Sequence, residues 1–470
     1  MVQRLDRRML LMTGLGALAA GCALGPEAAA TNGADDLQGL LDHRILRQRA
    51  ANAAVIGVLS PAGRRIYSAR RPEADETYPL GDRTIFEIAS LTKVFTALLL
   101  AAEVVDGRMG LDDPLQDYLP DGVVAPSFEG RAITLTDLAT HGAALPLRPN
   151  NLANGAADAP DKYAGYTLDD LYRGLPDYRL GYAPGSQFRY SNLGFALLGQ
   201  AIARREAMSF DAVLRRRVTG PLGLDDTTLS EDPEKARRRA RGHDLYLDPV
   251  GAGGPSALSP AYGLRSTAHD ILRLLDLFLD GRGPSHLRGA ARLMLATDRP
   301  GDDDTTRMAL GWRRTTAHGE TYYWSNGSGD GSRCFMGFNP ARGVAVVALA
   351  DAASGGGLDD IGRRVLDPAQ EVDAAVVPAP EFVTLPEEML LRATGRFEYA
   401  PDDAFDITRG VTGLVVSSGP IQIVIRPTSP SVYASAMMPG VIFEFDGVEA
   451  GPARGLTLHQ DGQSFYYRRV

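Results

Sequence analysis

The chain has few cysteines and histidines and no basic tract. Its 470 residues include 2 cysteines and 7 histidines, and these are not clustered, so the sequence indicates no metal site. The formal net charge is −9, and no basic tract is interleaved with aromatic residues, which argues against a nucleic-acid partner. No cofactor is indicated either. The chain is too long for one ordinary core, so we expect two or more domains.

A membrane-spanning anchor is not predicted at the N-terminus, because the apolar stretch Met9–Ala20 is too short to span a bilayer. The segment Asp6–Leu11 resembles a twin-arginine export signal. Ala19-Ala20-Gly21-Cys22 resembles a bacterial lipobox, which predicts a lipid on Cys22 and an anchor to the membrane. The alternative is a plain signal peptide cleaved near Ala28–Ala30. Both interpretations predict an exported, periplasmic protein.

A hydroxyl and an amine lie three residues apart in Ser90-Leu91-Thr92-Lys93. Residues i and i+3 share one face of a helix, so Lys93 can reach the Ser90 oxygen. The following run, Val94–Ala102, is apolar on nearly every side and predicts a helix buried in a large core. A serine becomes a usable nucleophile when an adjacent base takes its proton. The spacing therefore indicates nucleophilic catalysis, although short motifs of this kind also arise by chance.

A second pair of candidate residues, Tyr190 and Asn192, precedes the apolar segment Leu193–Gln200. A phenol becomes a usable base when a nearby cation such as Lys93 favours the phenolate. The alternative interpretation makes Tyr190 a half-buried aromatic residue and Asn192 the N-cap of the next helix. A cap residue can also line a cleft, so both interpretations stay open.

A third motif combines a predicted strand with a glycine-rich turn. Thr321–Trp324 is rich in aromatic and β-branched residues, which is typical of a strand. The segment Ser325–Gly331 then reads as a turn. A second predicted strand, Cys334–Pro340, follows it, so the sequence predicts a hairpin.

Together these motifs resemble those of the serine β-lactamase and penicillin-binding protein superfamily, in its class C, D-aminopeptidase and esterase branch. The resemblance covers roughly residues 40 to 365. It implies that Ser90 is the nucleophile and that Lys93 and Tyr190 move the protons. It also implies that Asn192 hydrogen-bonds Lys93 and the substrate amide.

The resemblance further implies a substrate-binding role for the hairpin, including Asn326, Gly327 and Ser328. The N–H groups of Ser90 and Ser328 would form the oxyanion hole. Ser325 is a departure, because the family usually has lysine or histidine at this place to hold a substrate carboxylate. Arg333 on the neighbouring strand is the candidate to restore the positive charge.

The C-terminal part has short alternating segments from Gly395 to Tyr467, which predict a small all-β barrel or sandwich. It resembles the lipocalin-like domain attached to many members of this family. The predicted fold class is therefore mixed α/β (α+β), with helices on an antiparallel sheet, followed by a β-barrel. The predicted divisions are an export signal at 1–21, a linker at 22–38, a hydrolase domain at 39–367, a linker at 368–387 and a barrel at 388–470.

The sequence thus predicts an exported serine hydrolase that acts on a small-molecule or peptide substrate through an acyl-enzyme on Ser90. The favoured substrates, from the resemblance, are amides of the D-amino-acid peptide type. Three alternatives remain: an esterase on small acyl esters, a β-lactamase, and a non-catalytic sensor with the same fold. The sequence contains no indication of the oligomeric state.

Overall fold

The computed structural model describes most of the chain after the predicted export segment. The described residues are 36–74, 77–152, 163–230, 232–354, 357–373, 380–400, 403–418, 421–438, 440–460 and 462–470. The predicted export signal 1–21 and Cys22 lie outside them. Within these ranges, no helix is both long and apolar enough to cross a membrane. The chain divides into two compact units between 374 and 375, while the domain boundaries given above stay predictions.

The first unit contains twelve strands within the residues that the structure describes. They are β1 (Ala53–Ser60), β2 (Gly63–Arg70), β3 (Phe86–Glu87), β4 (Ser127–Phe128), β5 (Arg131–Ala132), β6 (Arg265–Ser266), β7 (Arg299–Pro300), β8 (Thr306–Met308), β9 (Arg313–Ala317), β10 (Glu320–Ser328), β11 (Arg333–Asn339) and β12 (Val344–Ala350). Eight form one sheet in the order β2-β1-β12-β11-β10-β9-β8-β7, and each of the other pairs, β3-β6 and β4-β5, is a two-stranded sheet. The recorded pairs within the large sheet are antiparallel, as predicted.

Helices cover both faces of the large sheet. The α-helices of the first unit are Leu37–Asp42, Thr92–Val105, Leu135–Ala139, Leu168–Gly174, Asn192–Arg205, Phe210–Leu214, Gly220–Leu222, Pro233–Ala236, Ser259–Tyr262, Ala268–Leu279, Ser285–Ala296 and Asp359–Leu366. Shorter 3₁₀ turns are Ala89–Leu91, Leu115–Tyr118 and Leu175–Asp177, and π-helical turns are His43–Arg47 and Arg215–Thr219.

The alternation of side chains along each strand divides the core into two layers. In β1, Val55 packs with the large helical core on one face, while Ala54 and Ile56 pack with the smaller core on the other. The helix Thr92–Val105 lies in the large core, and its first twelve residues are buried. The prediction of a buried helix after Ser90 is therefore confirmed, because a helix that is apolar all round needs neighbours on every side.

One close helix contact positions a backbone carbonyl for the site. A Cβ at Gly199 would lie 2.2 Å from the Cβ of Pro260, so a larger residue there would push the two backbones apart. The glycine thus lets the helix Ser259–Tyr262 lie directly on Asn192–Arg205. That contact brings the Ala261 carbonyl to the interior, where it meets Lys93.

The second unit is a closed barrel, which confirms the predicted C-terminal fold. A short helix, Glu387–Arg392, precedes it. Its strands pair in sequence order and close between the first and the last: β13 (Gly395–Ala400), β14 (Asp403–Arg409), β15 (Leu414–Ser418), β16 (Ile421–Pro427), β17 (Val432–Ala434), β18 (Ile442–Asp446), β19 (Gly455–Gln460) and β20 (Gln463–Arg469). Buried residues such as Phe397, Phe405 and Phe443 fill its core.

The predicted hairpin is present, but its turn is shorter than expected. β10 does not end at Trp324; it continues through Ser325 and Gly327 to Ser328. The reason is cross-strand pairing, since each of these residues faces a residue of β11 and Ser328 faces Arg333. The partner strand satisfies the backbone of the glycine-containing segment, so the glycine does not end the strand.

Candidate active site

Ser90 lies in the 3₁₀ turn Ala89–Leu91, immediately before the buried helix Thr92–Val105. Ala89 has a φ of 44°, a left-handed conformation that is uncommon for a residue with a side chain and that often occurs at functional sites. As the second residue of a helical turn, Ser90 has an N–H with no partner inside that turn. The local fold thus presents both an oxygen and an N–H at the same point.

Lys93 is held in the interior by three hydrogen bonds. Its Nζ donates to Ser90 Oγ at 3.0 Å, to Asn192 Oδ1 at 2.8 Å and to the Ala261 carbonyl at 2.8 Å. An ammonium group has three protons, so all its donors have acceptors. Burial lowers the pKa of Lys93 below 10.5, with Tyr190 opposing and Arg313 adding to the decrease. The amine therefore gives up a proton more readily than a lysine in water.

Tyr190 approaches Ser90 from another segment of the chain. Its Oη donates to Ser90 Oγ at 2.7 Å, and its ring centre lies 4.8 Å from Lys93 Nζ. Burial alone would raise the pKa of Tyr190. The positive charge of Lys93, the hydrogen bonds to Lys93 and Ser90, and the charge of Arg313 outweigh burial and bring the pKa below 10.0. Ser90 thus lies between two groups that can exchange protons with it.

Asn192 contacts Lys93 because its neighbour caps the helix. Ser191 is the N-cap of Asn192–Arg205, and its Oγ accepts from Gly194 N at 2.9 Å. The alternative in which Asn192 is the cap is therefore wrong. Asn192 is the first helical residue, and its side chain is free to turn inward and accept from Lys93.

His141 supports the Tyr190 ring. The centres of the two rings are 4.3 Å apart, and His141 Nδ1 accepts the Ser191 N–H at 3.1 Å. Burial, with the charges of Lys93 and Arg313, holds the pKa of His141 well below 6.5. The imidazole is therefore neutral at physiological pH, and its contacts are those of a structural residue.

The strand β10 passes close to the nucleophile. A Cβ at Gly327 would lie 2.7 Å from the Ile88 carbonyl oxygen and 3.0 Å from Ser90 N, so only glycine fits without a shift. Ser328, the last residue of β10, faces a cavity of about 390 Å³. Other walls of that cavity include Ser90, Tyr190, Asn192, Arg148, Arg313 and Asn326.

Two of the predicted substrate-binding side chains are engaged elsewhere. Arg333 Nη2 donates to Asp359 Oδ2 at 3.1 Å, and Arg333 is not among the residues that line the cavity. Asn326 lines the cavity, but its Nδ2 donates to the same carboxylate at 2.8 Å. Ser325 is 6% exposed and is not a lining residue. The structure therefore does not place Arg333 where it would restore the missing charge.

One positive charge at the cavity belongs to Arg313, a residue that the sequence did not single out. Arg313 pairs across β9 and β10 with Trp324, the residue before Ser325. Its guanidinium carbon lies 5.0 Å from the Trp324 ring centre. Its Nε donates to Asp302 Oδ2 at 2.9 Å, which leaves its two terminal nitrogens for a ligand. The one signal in the sequence is its position directly after Leu310-Gly311-Trp312, but only strand register brings it to the site.

The arrangement fits acyl transfer by a serine. It combines a nucleophile, two proton-exchanging groups and an N–H at the start of a helical turn, which is where an oxyanion is stabilised. In the part of the chain that the structure describes, no group of three or more His, Cys, Asp or Glu residues is arranged to hold a metal ion.

Comparisons with known proteins agree with this chemistry. Residues 43–370 match the family model described as Beta-lactamase. The chain is 32% identical over 263 residues to the D-alanyl-D-alanine-carboxypeptidase/endopeptidase AmpH of Escherichia coli (strain K12), which covers 53% of this chain and 65% of that protein. It is 30% identical over 201 residues to a Beta-lactamase of Providencia stuartii, which covers 42% of this chain and 48% of that protein. The chain thus spans about half to two thirds of the length of these relatives.

A solved structure has the same fold. The class C beta lactamase from Rhodobacter sphaeroides superposes with a TM-score of 0.58 at 23% sequence identity, covering 67% of this chain and 93% of that chain. This likeness concerns the fold alone and carries no statement about substrate.

Proposed function

The chain belongs to the beta-lactamase family, and from that premise we propose that it is an exported serine hydrolase that cleaves amide bonds in D-amino-acid peptides. The observation that carries the proposal is the position of Ser90 Oγ, which accepts from Lys93 Nζ at 3.0 Å and from Tyr190 Oη at 2.7 Å. A protein that only senses a ligand has no use for a nucleophile between two proton carriers. The arrangement therefore favours an enzyme over a non-catalytic sensor.

The proposed reaction starts from the form in which the Tyr190–Lys93 pair has lost one proton. The pair takes the Ser90 proton, and the Ser90 oxygen attacks the substrate carbonyl. The negative charge that forms on the carbonyl oxygen is stabilised by the N–H groups of Ser90 and Ser328. The same pair returns the proton to the departing amine, which leaves an ester on Ser90. Water, deprotonated by the pair in turn, attacks that ester. The bond between the acyl carbon and Ser90 Oγ breaks, the pair returns the proton to Ser90 Oγ, and the acid is released.

The proposed substrate class rests on two observations. One curated relative is described as a D-alanyl-D-alanine-carboxypeptidase/endopeptidase, and such a substrate has a carboxylate on its leaving amino acid. In this chain Arg313 supplies a cation at the cavity, so a leaving group with a carboxylate has a partner there even though position 325 is a serine.

An esterase is the second candidate, and the uncharged Ser325 favours it. Ser325 is buried, so the strand beside Ser90 adds no charge of its own to the site. A neutral ester needs no cation on its leaving side, so the site would accept one without Arg313. A D-alanyl-D-alanine peptide and a neutral acyl ester with the same acyl group separate the two functions by their kcat/KM values.

Covalent labelling tests the nucleophile directly. The full-length protein is treated with a fluorophosphonate or a fluorescent penicillin, and the adduct is mapped by mass spectrometry. We expect the label on Ser90 and none on the matched Ser90→Ala protein. A label on another serine, or equal labelling of Ser90→Ala, would contradict the proposal.

A further inference from the structure

We propose that Arg148 binds a carboxylate on the acyl side of the substrate, so that the enzyme prefers acyl groups with a negative charge. The inference rests on the proposed function and names the substrate class more closely. Arg148 is exposed and lines the same cavity as Ser90. Three features of Arg148 support this role: its backbone position, its lack of an acidic partner among the described residues, and its place relative to Arg313.

The backbone next to Arg148 is fixed to the catalytic segment. The Leu147 carbonyl accepts the Asn192 N–H at 3.0 Å, and the Pro146 carbonyl accepts from Ser191 Oγ at 2.7 Å. Arg148 therefore follows a segment that is hydrogen-bonded to the start of the Asn192 helix. Its side chain extends from the Asn192 side of the cavity.

The charge of Arg148 is not neutralised within the described residues. Three arginines line the cavity. Arg265 pairs with Glu87 at 3.3 Å and Arg313 with Asp302 at 2.9 Å. Arg148 has no such acidic partner in this part of the chain. Its recorded contact is with the Tyr163 ring, whose centre lies 5.9 Å from the guanidinium carbon.

A planar guanidinium with free N–H groups suits a carboxylate, because the two can form parallel hydrogen bonds. Arg313 lies against Tyr190, whereas Arg148 belongs to the side of Asn192. By the family resemblance, Asn192 contacts the substrate amide. In the proposed arrangement the acyl residue lies on the Asn192 side of the cavity, where Arg148 meets its charged group, and the leaving residue lies on the side of Tyr190 and Arg313.

Binding to a full-length protein with Ser90→Ala tests this inference without turnover. Two ligands are compared by calorimetry: D-alanine p-nitroanilide with a glutaryl cap, which has a carboxylate, and the same compound with a pentanoyl cap, which has none. The p-nitroanilide has no carboxylate on the leaving side, so the pair does not involve Arg313 as a partner. We expect the glutaryl ligand to bind about tenfold more tightly, with a preference that weakens as salt is added.

The test variants change only the charge at the cavity mouth. Arg148→Gln should remove the preference for the glutaryl cap and leave pentanoyl binding unchanged, while Arg148→Lys should keep part of it. Arg179→Gln is the matched control, because Arg179 is an exposed arginine whose recorded partners are backbone carbonyls and which does not line the cavity. It should keep the full preference.

An equal affinity for the two ligands, or a preference that Arg148→Gln leaves intact, would overturn the inference. Failure of the proposed function has a different signature. In that case the fluorophosphonate does not label Ser90 in the parent protein, whatever the affinities of the two ligands are.

Discussion

Arg313 lies beside Tyr190, with its guanidinium carbon 5.9 Å from the centre of the phenol ring. The two residues come from distant parts of the chain, and the contact puts a permanent positive charge next to the group that we propose as a base. A positive charge favours the ionised phenol and disfavours the ammonium, so Arg313 lowers the pKa of both Tyr190 and Lys93. This relationship therefore contributes, after burial and the Lys93–Tyr190 interaction, to the pH range in which Ser90 can be activated.

Arg313→Gln should move the acidic limb of the kcat/KM profile to higher pH. Without the guanidinium, the pKa of Tyr190 and that of Lys93 both rise, so the basic forms need a higher pH to appear. Arg313→Lys keeps a positive charge and should shift the limb less. The effect is measured as kcat/KM for a neutral ester from about pH 5 to about pH 10. An acidic limb at the same pH in the parent and Arg313→Gln would refute the electrostatic role.

Arg313→Gln should also reduce the preference for substrates with a carboxylate on the leaving residue. The measured quantity is kcat/KM for a substrate with a carboxylate on its leaving residue, divided by kcat/KM for a neutral ester with the same acyl group. A charge-assisted contact contributes about 1.5 to 3 kcal/mol, so this ratio should fall roughly 10- to 150-fold. Arg333→Gln is the control, because Arg333 is bound to Asp359 and does not line the cavity. A large fall in Arg333→Gln with none in Arg313→Gln would reverse our assignment.

Gly327→Ala should reduce kcat while the protein still folds. The added methyl group meets the Ile88 carbonyl and Ser90 N, which are backbone atoms and cannot rotate away. The strand must move back, and the oxyanion site widens, which costs on the order of 10²-fold in kcat. Rates and thermal melting are measured together. Full activity in Gly327→Ala would show that the close approach of β10 is not needed.

Ser90→Ala and Lys93→Met should each lower kcat by on the order of 10³-fold or more, and the double variant should be little worse than either. The residues act as a unit, so losing the second adds little once the first is gone. Methionine keeps the volume of the buried lysine, which preserves the packing. A kcat of Ser90→Ala within about tenfold of the parent value would rule out the mechanism, because the expected loss is about two orders of magnitude larger.

If the protein is exported as the sequence predicts, Cys22→Ser should move it from the membrane pellet to the soluble periplasmic fraction without loss of activity. The prediction comes from the sequence, since Cys22 lies outside the described residues. Cell fractionation with an activity assay measures it. An unchanged distribution would favour the plain signal peptide.

Sequence patterns predicted the features that depend only on residues close together in the chain. The apolar run Val94–Ala102 indicates a buried helix, and the helix Thr92–Val105 is buried. The three-residue spacing of Ser90 and Lys93 predicts a contact, and the two side chains are hydrogen-bonded. These features follow from the period of a helix, which needs no knowledge of the rest of the fold.

Features that depend on strand register were not predictable in this way. Arg313 reaches the site because β9 pairs with β10 in one register, and a shift of one residue would turn its side chain to the other face. The interior position of Asn192 likewise depends on whether Ser191 or Asn192 caps the helix, and both are good caps. The inward turn of the Asn192 side chain is fixed by Lys93, which lies 99 residues away in the sequence.

The three hydrogen bonds of Lys93 mean that the catalytic group is preorganised in the empty enzyme. A substrate does not have to assemble the proton carriers, so its binding energy is available for distortion of the scissile bond. The amine loses its hydration when the protein folds, so burying it lowers the free energy of unfolding. At position 93, reaction rate and conformational stability therefore make opposite demands, and we expect a hydrophobic replacement of Lys93 to raise the melting temperature while it abolishes turnover.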